Sequence, residues 1–366
     1  MPDLPLAALL SSIVASALIS GFIIVWFSKS RGAVSPRRDT QAVQASHTLP
    51  TARIGGLAIM ASLTLAVLFQ KTQTGDGISV PLLLSAVPVF AVGLTEDLGL
   101  FASPRRRLLA SGASAAIFVM LTGQWLQATD IPGFDQALQW APIGIAFSIL
   151  LSVGVSHAFN LIDGLNGLSG STALAAALAL AYIAQGADLA VHRDILLILA
   201  AAVAGFLVFN FPLGKIFLGD AGAYAIGHLL VWLSISILWN SPNVTPLAVL
   251  LIFFWPIADT LLAITRRLCR GTPIAQPDRM HFHQLVMRGV EIVLLGRRKR
   301  RLANPLATTL TLPFILMPIT AGALLQGDKA AAAAACAAFA FLFMGTYKAG
   351  MWLAPKLRRN AAQRPQ

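Results

Sequence analysis

The chain has 366 residues, 57% apolar and only 11% charged, with a net charge of +12. An ordinary soluble domain is about 45–50% apolar and about 25% charged, so that class is excluded. The positive charge does not mark a nucleic-acid binder either. No basic soluble domain with stacking aromatics is present, and basic loops beside anionic lipid headgroups account for the sign.

A helix needs about 20 apolar residues to cross a hydrocarbon core about 30 Å thick. About eleven stretches read as spans, near residues 5–27, 54–70, 80–95, 108–125, 140–158, 168–185, 194–211, 221–239, 245–265, 305–325 and 330–347. The first is too long for a signal-peptide core and lacks a preceding basic stretch, so it reads as a retained helix. The second and third are short and need tilt or extension by their flanks. The gaps at 71–79, 126–139, 186–193, 240–244 and 326–329 are too small for a folded domain. The gap 28–53 is polar and basic. The gap 266–304 is the longest and carries ten Lys or Arg, including the run 296–301, which reads as a topology anchor. The Ala-rich run 331–340 reads as a closely packed helix face. Cys269 and Cys336 form neither a disulfide framework nor a metal motif.

Alternating the gaps from side to side places 24 of the 27 Lys and Arg on one side, leaving only Lys71, Arg193 and Lys329 on the other. Positive loops stay in the cytoplasm. The expectation is an all-α polytopic membrane protein of about eleven transmembrane helices, N-terminus periplasmic and C-terminus cytoplasmic. Residues 1–353 form a single integral-membrane domain, followed by a basic cytoplasmic tail at 354–366.

The same alternation collects the unusual polar residues on the cytoplasmic face. Glu96 and Asp97 end the third stretch, with Arg105, Arg106 and Arg107 just beyond. Adjacent carboxylates at a membrane boundary are costly unless paired, metal-bound or wet. The segment FNLIDGLNGLSG joins the fifth and sixth stretches with Asn160, Asp163, Gly164 and Asn166, either an ordinary turn or a backbone cradle for a ligand. The segment FNFPLGKIFLGDAGAYAIG follows the seventh stretch with Asn210, Lys215, Phe217 and Asp220. Asp220 can cap the next helix or hold a hard cation, with the helix N-terminus favouring phosphate nearby. Asp259 opens a stretch leading to Arg279, His281 and His283, a compact basic patch suited to anions. Carboxylates without soft ligands suit Mg²⁺ or Mn²⁺ rather than zinc. Basic groups opposite them suit a diphosphate, a combination that serves phosphoryl transfer.

These residues resemble the polyprenyl-phosphate N-acetylhexosamine-1-phosphate transferase superfamily, which includes WecA and MraY. The matching signatures are Glu96-Asp97, NLIDGLNGL at 160–168, Asn210 ten residues before the GDAG of Asp220, and the Arg279-X-His281-X-His283 segment. The loop 39–58 also matches, with His47, Arg53, Gly55 and Gly56. Eleven helices with an outside N-terminus resemble the WecA branch more than the ten-helix MraY branch. The resemblance implies that Asp220 is the Mg²⁺ ligand and that Asp97 and Glu96 lie beside the lipid phosphate. It implies that Asn210 and Phe217 hold the uracil, Phe217 by stacking. Asp163, Gly164 and Asn166, with Asn160, then shape the nucleotide pocket, and His281, His283, Arg279 and His47 meet the donor. Asp97, Glu96, Asp163 and His281 are the expected catalytic set. The chain departs from the family pattern at Glu96 (usually Asp), Gln284 (usually His), Ala223 (usually Ser) and Ala52 (usually Pro).

The resemblance implies transfer of a sugar-1-phosphate, of the N-acetylglucosamine-1-phosphate type, from a UDP-N-acetylhexosamine to undecaprenyl phosphate. UMP is released, at the cytoplasmic face of a bacterial inner membrane, to initiate an O-antigen-like envelope polysaccharide. The alternatives are a transporter with a cytoplasmic-face anion site and a non-catalytic scaffold. A transporter would place ionisable groups near the midplane on broken helices of repeated halves, and no repeat is visible. Membrane lipids are the expected surroundings and nucleic acid is not an expected partner. The sugar, the pathway and the oligomeric state, a homodimer among the options, stay open.

Overall fold

The computed structural model describes residues 6–29, 51–74, 77–100, 103–273, 280–295 and 300–362. The helices are α1 (Leu6–Lys29), α2 (Gly55–Thr74), α3 (Ser79–Asp97), α4 (Pro104–Thr122), α5 (Phe134–Gln139), α6 (Ala141–Ile162) and α7 (Leu168–Gly186). They continue with α8 (Ala190–Asn210), α9 (Gly219–Asn240), α10 (Pro246–Ile252), α11 (Phe254–Cys269), α12 (Phe282–Val290), α13 (Arg300–Leu324) and α14 (Lys329–Ala362). A single π-helical turn, Glu291–Leu295, follows α12. No strand occurs among the described residues.

All eleven expected stretches are helical. Among the described residues, eight helices are long and apolar enough to cross a membrane, and a ninth span is made if α10 and α11 count as one. The remaining two are α2, whose apolar part is Gly55–Phe69, and α4, which opens on Pro-Arg-Arg-Arg. The ninth stretch is not straight: it breaks at Phe253 and bends by 77°. Two short helices were not expected: α5, in the gap 126–139, and α12, in the long basic gap. The tail expected from residue 354 is not set off, because α14 continues through it to Ala362.

The hub is α9, which packs against α2, α3, α4, α6, α7 and α8 and buries 94% of its apolar window. Its first turn, GDAGA at 219–223, carries little side-chain bulk, so neighbouring backbones come close. A β-carbon at Gly222 would meet the Gly56 Cα at 2.7 Å, and this contact draws the start of α2 against α9. Farther along, Trp232 stacks on Phe118 of α4 with ring centroids 4.6 Å apart. Such a pair adds about 0.5–1.5 kcal/mol beyond its burial. Some polar side chains inside the bundle pair across helices. On α1, Ser12 sits 3.0 Å from Ser62 of α2, and Ser85 of α3 meets His228 of α9 at 2.9 Å.

One short piece of extended backbone completes the frame. Ala52 bridges Ile216 in parallel. Phe217 N donates to Ala52 O (2.8 Å), Gly55 N to Phe217 O (2.9 Å) and Gly56 N to Leu218 O (2.8 Å). The segment before α2 and the segment before α9 therefore run side by side and deliver Arg53 and Asp220 to one place.

Candidate active site

The C-terminal ends of α3 and α6 and the N-terminal ends of α2, α4 and α9 meet at one end of the bundle. Asp220, in the first turn of α9, is 8% exposed. Its Oδ1 accepts from Asn160 Nδ2 at 2.9 Å and lies 3.6 Å from the Arg53 guanidinium. Its Oδ2 lies 3.7 Å from Arg107 Nη1. That same Arg107 nitrogen donates to Glu96 Oε1 at 3.1 Å. Glu96 Oε2 is buried without a hydrogen-bond partner among the described residues.

Asp97 faces the other way. Its Oδ1 accepts from Asp220 N (2.8 Å) and its Oδ2 from Ala221 N (2.9 Å). Asp163 is half-buried just past the end of α6, near the Gly219 amide. Burial pushes the Asp163 carboxyl up to about 7, with Arg53 opposing, the Asp220 charge adding and the Gly219 amide opposing. Two of the first amides of α9, those of Asp220 and Ala221, are thus taken by the Asp97 carboxylate. The helix end expected to favour a bound phosphate therefore has these two N–H groups already spent inside the protein. Nor does Asp220 cap its own helix, since it turns to Asn160.

The segment 160–168 is tied down from several sides. Gly167 N donates to Asn210 Oδ1 (2.7 Å), and Asn210 Nδ2 donates to Ile216 O (2.7 Å). Both polar ends of the Asn210 amide therefore serve backbone, which binds the end of α8 to two loops. Asn166 N donates to Asn304 Oδ1 (2.8 Å), and Thr308 Oγ1 donates to Asn166 O (2.8 Å). A pair of α13 side chains thus clamps this turn. Phe217 is half-buried on the segment before α9, three residues from Asp220.

His281 and His283 come into the same region through α12. Asp259, on α11, accepts from Phe282 N through Oδ1 (3.0 Å) and pairs with His281 Nδ1 through Oδ2 (3.0 Å). It therefore caps α12 and orients His281 at once. Phe282 packs on Trp255 with centroids 4.6 Å apart and on Phe343 at 5.8 Å, which anchors α12 between α11 and α14. The His281 and His283 rings lie near-parallel with centroids 5.8 Å apart. Gly164 lies directly against His283: a β-carbon there would come within 2.7 Å of Nε2. Burial holds the His283 imidazole down to about 4, with Asp259 opposing and His281 adding, so it sits neutral. Among the described residues, Nε2 of His281 and both nitrogens of His283 are buried without a hydrogen bond.

The structure thus gathers Glu96, Asp97, Asn160, Asp163, Gly164 and Asp220, and brings His283 against that cluster. Asn166 and Asn210 stand beside it as scaffold. His47 and Arg279 lie outside the described residues. Sequence reasoning missed four residues as site members. Arg53 stood only as part of a matching loop, and Arg107 was one of three arginines after the acidic pair. Pro104 at the start of α4, with Ser103 accepting from Arg106 N (3.4 Å), sets the register that turns Arg107 inward. Asp259 was noted for position only. Asn304 had no local signal, being 138 residues from its partner.

Mg²⁺ fits this donor set. Among the described residues no three His, Cys, Asp or Glu side chains converge into a closed cage. What exists is one well-placed carboxylate, Asp220, beside the Asn160 amide and the unused oxygen of Glu96. Mg²⁺ binds in this way, through one or two carboxylates, retained water and substrate phosphates.

The pattern of glycosyl transferase family 4 matches residues 79–238. A Bacillus subtilis protein named "Probable undecaprenyl-phosphate N-acetylglucosaminyl 1-phosphate transferase" is 28% identical over 236 residues, 64% of this chain and 65% of its own length, just under two thirds. The decaprenyl-phosphate N-acetylglucosaminephosphotransferase of Mycobacterium leprae is 28% identical over 318 residues, 78% of this chain and 77% of that one. Its counterpart in Mycolicibacterium smegmatis is 31% identical over 308 residues, 74% and 73% of the two chains. The family pattern runs from α3 to α9, the helices whose ends carry Glu96, Asp97, Asn160, Asp163 and Asp220, and with a relative this similar across nearly three quarters of both chains, the chain belongs to glycosyl transferase family 4.

Proposed function

We propose that the protein transfers N-acetylglucosamine-1-phosphate, or a closely related N-acetylhexosamine-1-phosphate, from a UDP-sugar to undecaprenyl phosphate. UMP is released, at the cytoplasmic face of a bacterial inner membrane, as the first membrane step of an envelope polysaccharide. The observation that carries this reading is Asp220 held between Asn160, Arg53 and Arg107 at the meeting point of five helix ends. The relatives' named activities agree with it, and the 24-to-3 division of Lys and Arg supports the cytoplasmic placement. A transporter fits less well, because the carboxylates gather at helix ends rather than at mid-span.

The chemical difficulty is bringing two anions together. A phosphate monoester has a second pKa of about 6, so the lipid phosphate is mostly dianionic near pH 7 and attacks without a strong base. Mg²⁺, when held by Asp220, supplies the charge that offsets the donor diphosphate. Arg107, steadied by Glu96, and Arg53 place two further cations beside the same carboxylate. These groups are fixed before substrate arrives, so no reorganisation is needed as charge moves to the leaving UMP. Direct attack of the lipid phosphate is the mechanism this arrangement favours.

The test is release of UMP by purified protein given UDP-N-acetylglucosamine, undecaprenyl phosphate and Mg²⁺, followed by a panel of other UDP-sugars. No UMP from any donor would overturn the reading. A second measurement concerns the base. Phe217→Ala is expected to raise the KM for UDP-sugar by roughly 5- to 150-fold, from the ~1–3 kcal/mol that stacking a base on an aromatic ring contributes. The lipid KM should barely move. A variant that loses thermal stability but binds UMP like wild type would make Phe217 a packing residue only.

A further inference from the structure

We infer that Asp97 is a positioning residue that caps α9 and thereby aims Asp220, and that it touches neither substrate. The inference rests on the proposed reaction for its kinetic consequences, but its geometry stands alone. Asp97 is 5% exposed, and each of its oxygens accepts a backbone amide, at 2.8 and 2.9 Å. The first of those amides belongs to Asp220 itself. Turning Asp97 toward a phosphate would strip both amides and leave them, with the charge, buried and unpaired.

The glycine at the start of α9 shows how tightly this cap is built. Gly219 has φ +78°, in the left-handed region. A β-carbon there would collide with the Arg53 carbonyl and come within 2.6 Å of Asp97 Oδ2. Three segments therefore converge on the one peptide that sets the direction of the Asp220 side chain. Within the acidic pair the duties are split: Asp97 is spent on the helix, while Glu96 holds Arg107 and keeps the one unused oxygen. A phosphoryl group carried on Asp97 would require the hydrogen bond to at least one of the two amides to open first, which the buried setting opposes.

The test uses full-length protein in detergent or nanodiscs and compares wild type with Asp97→Asn. An asparagine keeps one acceptor but turns an NH₂ toward the other amide, so the cap loosens without loss of volume. Partners that orient a metal ligand are worth about 10- to 100-fold in metal affinity. The expected result is a loss of that size in Mn²⁺ affinity, read by EPR, and a matching rise in the Mg²⁺ needed for half-maximal rate. Hydrogen exchange should quicken in peptides covering 219–222, and the KM for undecaprenyl phosphate should stay within about 3-fold, since no ground-state contact is removed. An increased lipid KM with unchanged Mn²⁺ affinity and unchanged exchange would overturn the proposal and place Asp97 on the lipid phosphate.

Gly219→Ala is the second variant. It leaves every carboxylate in place and pushes on the cap from the other side, so it should give the same metal defect. If Asp97→Asn does not fold, Gly219→Ala decides the question by the same readouts, and normal Mn²⁺ affinity in it would overturn the proposal. If the wild type releases no UMP, the proposed reaction fails, while Mn²⁺ affinity and exchange still judge the cap.

Discussion

Asp220→Asn is expected to abolish turnover while leaving the helical bundle folded. The carboxylate accepts from Asn160 and lies between two guanidinium groups at 3.6 and 3.7 Å. An amide keeps the shape but replaces one acceptor with a donor that faces Arg53 or Arg107, and it loses the charge that holds a hard cation. Loss of a single preorganised contact to developing charge costs 10²–10³ in rate. Loss of the metal ligand should cost more, so kcat should fall by about 10³-fold or more even in saturating Mg²⁺. Folding should survive, because the cap of α9 uses the Asp220 backbone and not its side chain. Wild-type kcat in saturating Mg²⁺ would remove Asp220 as the metal ligand. A collapsed melting temperature would show that the carboxylate holds the bundle together instead.

The helices were the legible part of this molecule. Each apolar run long enough to cross a bilayer became a helix, because in hydrocarbon the backbone must satisfy its own hydrogen bonds. Hydropathy did not announce the break at Phe253, since the apolar run is continuous across it. The signal lay in Pro256, which has no N–H for the Ile252 carbonyl and whose ring crowds that carbonyl, so the run cannot continue as one straight helix. At the site, the residue types and their common face could be read, since charge beside a membrane is costly enough to be conspicuous. What each carboxylate does could not. Asp97 and Glu96 are adjacent in the chain and look equivalent, yet at the last turn of α3 they point to different partners, one to helix amides and the other to Arg107.

The hidden device is capping by a distant segment. Helix starts are usually recognised by a Ser, Thr, Asp or Asn immediately before them. Here α9 begins after Leu218 and α12 after His281, neither of which supplies a capping bond from its side chain. The caps come from Asp97, 123 residues away from Asp220, and from Asp259, 23 residues away from Phe282. No local pattern could reveal them. The same limit hid Asn304 and Thr308, which grip the turn at Asn166 from α13.

The Asp259 cap gives the second large expectation. His281→Ala should lower kcat by about 10²-fold with UDP-sugar saturating, on the scale of general acid–base or oxyanion contacts. Asp259 accepts from the Nδ1 side of the ring, so the proton on that nitrogen is fixed and Nε2 is the group left to act. That nitrogen is buried and has no partner among the described residues. The neighbouring His283 ring packs on Gly164, next to Asp163, so the pair of rings lies beside the carboxylate cluster. A contact from Nε2 that strengthens as charge shifts onto UMP lowers kcat rather than raising KM when it is lost. Asp259→Asn should show a milder form of the same defect, because the ring loses the carboxylate that orients it. Gln284 is half-buried on α12 beside His283, and its substitution should change preference among UDP-N-acetylhexosamines more than rate. The decisive measurement is kcat for His281→Ala on several donors. Wild-type values on all of them would make the Asp259–His281 pair a fastening for α12 and remove it from the chemistry.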